Sequence, residues 1–401
     1  MKKTLFGIFL VVMGLVSCNK NTYDVLIVGG GASGTMAGLQ AARMGSKVMI
    51  AEETVWIGGM LTSAGVSAID GNYRLRGGLF GEFTDALAEH YGGYEALKTA
   101  WVSNIMFEPS VGEAIFEQKV AAEKNITLCK EWRFESAQKT KKGWTVIFST
   151  PEGKKSIDTR ILIDGTELGD VAKACGIKYH IGFDPKSYTG EKMAFEDARN
   201  IVQDLTMVMT LKDYGPGADM TIEKPEGYDI NNYVNCCINP LNTYFEKNQR
   251  QWSPEMMLSY GQLQNGKIMI NWPTEGNDFY ANVIEMNREQ RDSVIAQAKL
   301  RTLGFLYFIQ TELGYKNLGL ADDEYPTEDK LAFFPYHRES RRTEGEYLFT
   351  VDEVENRYDF KGYRTGVAVG DYPVDHHHYA CPEWKTYAHL WFAPVPSFTL
   401  P

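Results

Sequence analysis

The sequence predicts an α/β fold, a three-layer domain carrying a smaller inserted α+β domain. Three observations predict it. Residues 23–28 are a short apolar, β-branched run that enters a glycine-rich turn, and an alanine-rich stretch and a second apolar run follow. Residues 160–166 form another short apolar run that ends in an acid, a glycine and a threonine. From about residue 182 to residue 330 this strand–helix rhythm fades, and aromatic residues, Asn and Pro become common. Strands buried on both faces read as unbroken apolar runs of this length. The first two observations therefore belong to one sheet, and the third marks an insertion.

The chain starts with a segment outside that fold. Lys2 and Lys3 precede an apolar run over residues 5–16. That run is too short for a hydrocarbon core of about 30 Å and fits the apolar region of a signal peptide. Its end, Leu15-Val16-Ser17-Cys18, resembles a bacterial lipobox, in which cleavage before the cysteine leaves a lipid-bearing N-terminus. The other reading is an ordinary signal peptide with a chance cysteine. The expected division is a lipoprotein signal peptide over 1–17, a first domain part over 18–181, an inserted substrate domain over 182–330 and a return segment over 331–401. Lipidation at Cys18 implies a chain tethered to a bacterial membrane in the cell envelope. No twin arginine accompanies the run, so a tightly held cofactor would be acquired after export.

Composition excludes several classes. Hydrophobic residues make up 44% of the 401, enough for a sizeable core,. The formal net charge is -11 and no basic stripe is visible, which argues against a nucleic-acid partner,. Beyond Cys18 there are Cys129, Cys175, Cys236, Cys237 and Cys381, an odd set without a C-x-x-C. Iron–sulfur and metal sites are therefore unsupported. The adjacent Cys236 and Cys237 read either as a strained vicinal disulfide or as two small buried residues.

The opening unit is strand, G-x-G-x-x-G, helix, strand, acid. Gly29 permits a tight turn, Gly31 lets backbone approach a diphosphate, and Gly34 lets helix pack closely on strand. Between them, Ala32 and Ser33 place helix N-terminal N–H groups toward phosphates. Glu52, at the end of the second strand, is placed to accept hydrogen bonds from a ribose diol. The domain is thus Rossmann-like, for FAD or NAD. A second glycine pair, Gly58-Gly59, follows with Met60 and Thr62, and no second G-x-G-x-x-G is present for a nicotinamide nucleotide. With this segment the sequence resembles the FAD-dependent oxidoreductase family related to the flavin subunits of heterodisulfide reductases. It is more distantly similar to the fumarate reductase and succinate dehydrogenase flavoproteins. The resemblance covers residues 23–401 and implies FAD, held non-covalently, with Gly58, Gly59, Met60 and Thr62 beside it.

Further elements follow in order. Apolar residues near Leu79, Phe83 and Leu87 recur at helical spacing. Pro109 suits the first position of another helix, and Phe107-Glu108-Pro109 also resembles the family. Residues 144–149 alternate as a strand. Asp164, Gly165 and Thr166 end the next one, and read as cofactor-near by resemblance or as a plain strand-to-helix turn. Within the insertion, Trp272, Asn277 and Tyr280 belong either to a polar-aromatic pocket or to an aromatic loop packed on the core. Residues 288–313 read as a long helix with Val294, Ala298, Phe305, Phe308 and Ile309 inward.

Residues 335–342 hold the densest chemistry and resemble the Arg-Glu-Ser-Arg-Arg element of the family. The arginine fork matches a carboxylate bidentately and stays charged. Arg338 and Arg341 are expected to orient substrate or to offset charge on reduced flavin. The alternative pairs Arg341 or Arg342 with Glu339, Glu344 or Glu346. Three consecutive histidines follow Asp375, and they cannot share one metal from a strand because side chains alternate. His377, oriented by Asp375, is the candidate proton carrier. In the resembled family a further strand and a glycine-containing helix close over the flavin. Neither is legible before residue 401, so the closing element is expected to be missing.

These readings lead to an FAD-dependent oxidoreductase taking hydride from a small organic substrate, with the electron acceptor open. A non-catalytic, lipid-anchored binding protein on a shortened flavoprotein scaffold is the alternative. An NAD dehydrogenase is disfavoured by Gly58-Gly59.

Overall fold

The computed structural model describes residues 22–71, 73–242, 252–273, 275–355, 365–366, 368–370, 372, 375–377, 380–383 and 398–400. The expected signal peptide and Cys18 lie outside the described residues. So do His378 and Tyr379.

The expected α/β fold is the one the chain forms. The strands β1 (Thr22–Val28) and β2 (Val48–Ala51) flank helix α1 (Ala32–Arg43). Gly45, at φ 92°, ends that helix in the left-handed region that favours glycine,. Helices α2 (Gly78–Tyr91) and α3 (Pro109–Ala121) follow, the latter with Pro109 at its first position. Then come β3 (Ile126–Cys129), β4 (Arg133–Thr140), β5 (Gly143–Thr150) and β6 (Gly153–Asp164). The sheet order is β3-β2-β1-β6-β5-β4. It is parallel from β3 to β6 and antiparallel through β5 and β4. Alternation along β1 and β2 explains the three layers. Val25, Ile27, Val48 and Ile50 face a core with Phe83, Phe107 and Phe116 of the helical layer. Leu26, Val28, Met49 and Ala51 face the other side, with Val146, Phe148 and Ile157. Each buried side chain of this size contributes about 1.5–3 kcal/mol.

After α4 (Asp170–Ala174) the chain enters the mixed region. β7 (Tyr179–His180) and α5 (Lys186–Thr189) precede β8 (Leu205–Thr206) and β9 (Met209–Asp213). α6 (Pro254–Ser259), β10 (Lys267–Ile270), β11 (Asp278–Phe279), α7 (Arg288–Thr311) and β12 (Leu318–Leu320) complete it. β9 lies between β10 and β12, and β8 pairs with β11, all antiparallel. A capping box of Asn287 and Gln290 starts α7,. Ala298, Phe305, Phe308 and Ile309 are buried, and Val294 is partly so. The return segment carries β13 (Arg342–Thr343), which pairs with β7, then α8 (Val351–Glu355), β14 (Ala368–Gly370) and β15 (Phe398–Leu400).

The core of the mixed region also takes in Trp56 and Leu168 from the first part, so the two parts share one packed interior. An ion cluster fastens them as well. Buried Lys267 lies 2.8 Å from Glu108 and 2.7 Å from Glu324. The five described cysteines are free thiols, and the sulfurs of Cys236 and Cys237 stand 3.6 Å apart in the core. That is the reading as two small buried residues. No helix among the described residues is long and apolar enough to cross a membrane.

Candidate functional site

The first half of the site is the start of α1. Gly31 stands at its N-cap and no side chain caps it. The first-turn N–H groups of Ala32 and Ser33 lie at the positive end of the helix, the former facing the Gly58 carbonyl across the Gly31–Gly58 bridge,. A Cβ placed on Gly31 would meet nothing nearer than 3.8 Å. Gly34 differs, since a Cβ there would strike the Gly29 carbonyl. One glycine keeps space open and the other lets backbone pack on backbone. A helix start that is open, uncapped and free of acidic side chains in its first turn fits a diphosphate,.

Glu52 lies beneath this loop. Its Oε2 accepts from the Gly30 N–H at 2.7 Å, and its Oε1 accepts from the Thr54 N–H at 2.8 Å and the Thr54 hydroxyl at 2.9 Å. Burial raises this carboxyl above its ordinary value, against the pull of those bonds. A carboxylate has about four lone-pair sites, so room remains for one ribose hydroxyl. Glu167, absent from the sequence-based set, faces the same charge. Burial and Glu52 push it up to about 7.

The second glycine pair serves packing. The Gly58 N–H donates to Gly30 O at 2.8 Å, and a Cβ on Gly59 would come within 2.8 Å of Gly31 Cα. Thr62 is fully buried and its hydroxyl donates to Ile57 O at 2.7 Å. Met60 is exposed beside them. Asp164 folds over the turn that follows β6. Its Oδ1 accepts from the Thr166 N–H and hydroxyl, and its Oδ2 from the Ala172 N–H. Gly165 presses against the Gly29 turn. Asp164, Gly165 and Thr166 thus support the cradle through hydrogen bonds and close backbone contact within the chain.

The second half is a charged chain in the mixed region. Arg338 Nη1 donates to Asp204 O at 2.8 Å and Thr206 Oγ1 at 2.9 Å. Its Nη2 faces Asp278 Oδ1 at 3.3 Å and Asn271 Oδ1 at 3.4 Å. The guanidinium lies 4.6 Å from the Tyr336 ring centre. Asp278 Oδ2 stands 2.7 Å from His377 Nδ1, and His377 Nε2 is 3.5 Å from Asp375. Burial raises Asp278, but the charges of Arg338 and His377 prevail and hold it at about 2. Burial and Arg338 lower His377, but the bonds to Asp278 and Asp375 outweigh them and its pKa ends raised. Asp278 stands between Asn277 and Tyr280 in a run weighed in the sequence, and was given no role there because its partners Arg338 and His377 lie far along the chain.

Arg341 is placed elsewhere. It donates to Leu168 O at 2.7 Å and to Ile284 O, and it pairs with Asp170 at 2.7 Å and Glu285 at 2.9 Å. With its side chain 1% exposed, it is a structural clamp and offers nothing to a substrate. This corrects the expectation of a substrate contact. Its acids are Asp170 and Glu285 rather than the sequence neighbours Glu339, Glu344 and Glu346. Trp272 is also core, with its indole N–H on Cys236 O, and Asn277 ties Trp272, Met207 and Ile270 together. Tyr280 is exposed.

A sequence model of FAD dependent oxidoreductases matches residues 24–401. The chain belongs to the FAD dependent oxidoreductase family. Membership places it among flavin-dependent enzymes and agrees with the diphosphate cradle. Similar solved structures include p-nitrophenol 4-monooxygenase from Pseudomonas putida, at 14% identity over 48% of this chain and 48% of that one, with a TM-score of 0.31. The aromatic hydroxylase CabE from angucycline biosynthesis is 16% identical over 51% and 40%, with a TM-score of 0.33. A flavoprotein/dehydrogenase from Cytophaga hutchinsonii is 17% identical over 48% and 46%, with a TM-score of 0.32. The matched part spans less than half of each of those chains, and none of them informs the substrate of this family member.

Proposed function

We propose that the protein takes a hydride from a C–H bond of a small organic substrate, at a carbon bearing a hydroxyl or an amine, with non-covalently held FAD as acceptor. The observation that carries this reading is the uncapped, unobstructed start of α1 above Gly31. The N–H groups of Ala32 and Ser33 would hold the diphosphate, Glu52 one ribose hydroxyl, and Met60 would lie beside the dinucleotide. When bound, the flavin supplies the two-electron acceptor.

The remaining work falls to the chain. Arg338 keeps Asp278 ionised, and Asp278 fixes the His377 ring through Nδ1. Nε2, with its looser contact to Asp375, is where the hydroxyl or amine proton of the substrate is exchanged. The ring must be neutral to accept that proton, so turnover is expected to rise as pH passes upward through the raised His377 pKa. Attachment to the cell envelope through a lipid on Cys18 belongs to the same reading, supported by Lys2, Lys3 and the apolar run after them.

The test is the purified protein. A flavin absorption spectrum, release of FAD identified by mass and anaerobic bleaching by substrate are expected. A colourless protein that cannot be reconstituted with FAD would leave the non-catalytic binding scaffold.

A further inference from the structure

The mixed region contains a cavity of about 500 Å³ whose wall includes Asp278 and Asp204. That volume lies within the range of about 300–1,000 Å³ usual for small-molecule sites. Tyr228, Tyr233 and Tyr280 give it aromatic walls. Glu226, Glu275 and Asp204 add carboxylates, while Asp278 is offset by Arg338 and His377.

Arg301 is the one cation among the described lining residues. Its Nε donates to Gly276 O at 3.0 Å and its Nη2 to Asn232 O at 3.0 Å, which fixes the guanidinium in place and leaves one positive charge against the carboxylates of the wall. Its guanidinium lies 4.6 Å from the Tyr233 ring centre, and Lys224, which is not part of the lining, stands 5.3 Å from that of Tyr228. Two rings of the wall therefore each hold a cation at the distance where the ring quadrupole attracts it. Tyr280, 39% exposed, presents a further ring at this wall.

We propose that this cavity binds a small organic cation, an ammonium group on an apolar body. The exposed ring of Tyr280 and the carboxylates attract such a group, the faces of Tyr228 and Tyr233 being taken by Lys224, Arg301 and ring stacking, and the same carboxylates repel an organic acid of equal shape,. The site is distinct from the dinucleotide cradle and does not rest on the redox reading. It touches the catalytic chain through two shared residues. Asp278 holds His377 and Arg338, and Asp204 accepts from Arg338 through its carbonyl and donates its N–H to His377 O at 2.6 Å.

The experiment is calorimetric titration of the full protein with three isosteric probes: phenethylammonium, 2-phenylethanol and phenylacetate. Phenethylammonium is expected to bind at least about tenfold more tightly than the alcohol, phenylacetate not at all, and the ammonium affinity to fall with added salt. Two variants fix the place. Glu226→Gln changes an exposed carboxylate, and Leu300→Trp fills the cavity from a side chain that is 40% exposed. Both should weaken binding about tenfold while melting temperature and flavin content stay at parent values. Equal binding of all three probes, undiminished binding in both variants, or no binding of phenethylammonium at millimolar concentration overturns the proposal. Flavin content, read on the same samples, reports separately on the redox reading.

Discussion

His377 Nδ1 stands 2.7 Å from Asp278 Oδ2, and the other oxygen of that carboxylate faces Arg338 at 3.3 Å. One buried acid thus joins the two residues whose chemistry was legible in the sequence. Removing one partner of a buried pair leaves a charge without compensation, which typically costs about 3–5 kcal/mol. Asp278→Asn is therefore expected to lower stability on that scale and to flatten the pH dependence of turnover. Melting curves and initial rates between pH 5 and about 9 check both, and parent-like values in either would dismiss the joining role.

The same pair sets a pH window for stability. Asp278 is held near 2, below its ordinary value, so its contribution is complete above about 4 and is lost as pH falls through about 2,. The pKa of His377 is raised, so its contribution is complete below about 6.5 and is lost as pH rises through the raised value,. Melting temperature should decline on the alkaline side in the parent. His377→Gln should remove that decline and leave the acid limb. A decline of equal size in the variant would assign the effect to other groups.

Two glycine variants separate binding from folding. Gly31→Val puts a Cβ at ordinary van der Waals distance from Gly165 O and Gly59 Cα, at a backbone angle any residue adopts, so the fold should persist while the diphosphate is blocked. Gly34→Ala drives a methyl group into the Gly29 carbonyl, so the turn itself should fail. Flavin content per chain and melting temperature read the two outcomes. Full flavin content in Gly31→Val would remove the cradle from the account.

Lys267 lies between Glu108 on the first part and Glu324 on the mixed region. Glu108 also takes Asn265 Nδ2 at 2.8 Å, and Glu324 takes the Ser110 N–H at 2.5 Å. Lys267→Met would leave two buried carboxylates facing one another. A loss of about 3–5 kcal/mol is expected. Denaturant unfolding of variant and parent gives the comparison, and equal stability of the two would show that the cluster does not fasten the two parts.

Arg341→Lys tests the clamp. Lysine cannot reproduce a planar fork shared among Leu168, Ile284, Asp170 and Glu285,. The expected result is a lower melting temperature with flavin content and the KM of any identified substrate unchanged. A raised KM at parent stability would restore the substrate-binding role.

Local rules carried the cradle because its requirements are local. Residues 29–34 sit between a β-branched run and an alanine-rich one, and Gly34 answers to the Gly29 carbonyl five residues back, although Gly29 itself closes on the distant Gly165. The long helix was equally legible, since Ala298, Phe305, Phe308 and Ile309 repeat at its own period. The Asp278 link was not, since it lies 60 residues from Arg338 and 99 from His377. Arg341 was misplaced for the same reason. A density of arginines gives no information on partners 171 and 56 residues away.

By itself the sequence determined the α/β order of elements, the glycine-rich turn from strand to helix and the residue types able to carry charge and protons. These follow from period, chain stiffness and side-chain chemistry, which act over a few residues. Tertiary structure alone decided which arginine is a clamp, which acid holds the histidine, and that Gly58-Gly59 pack against the first glycine loop. Those outcomes depend on which distant groups share one buried, weakly screening space, and folding is what brings them there.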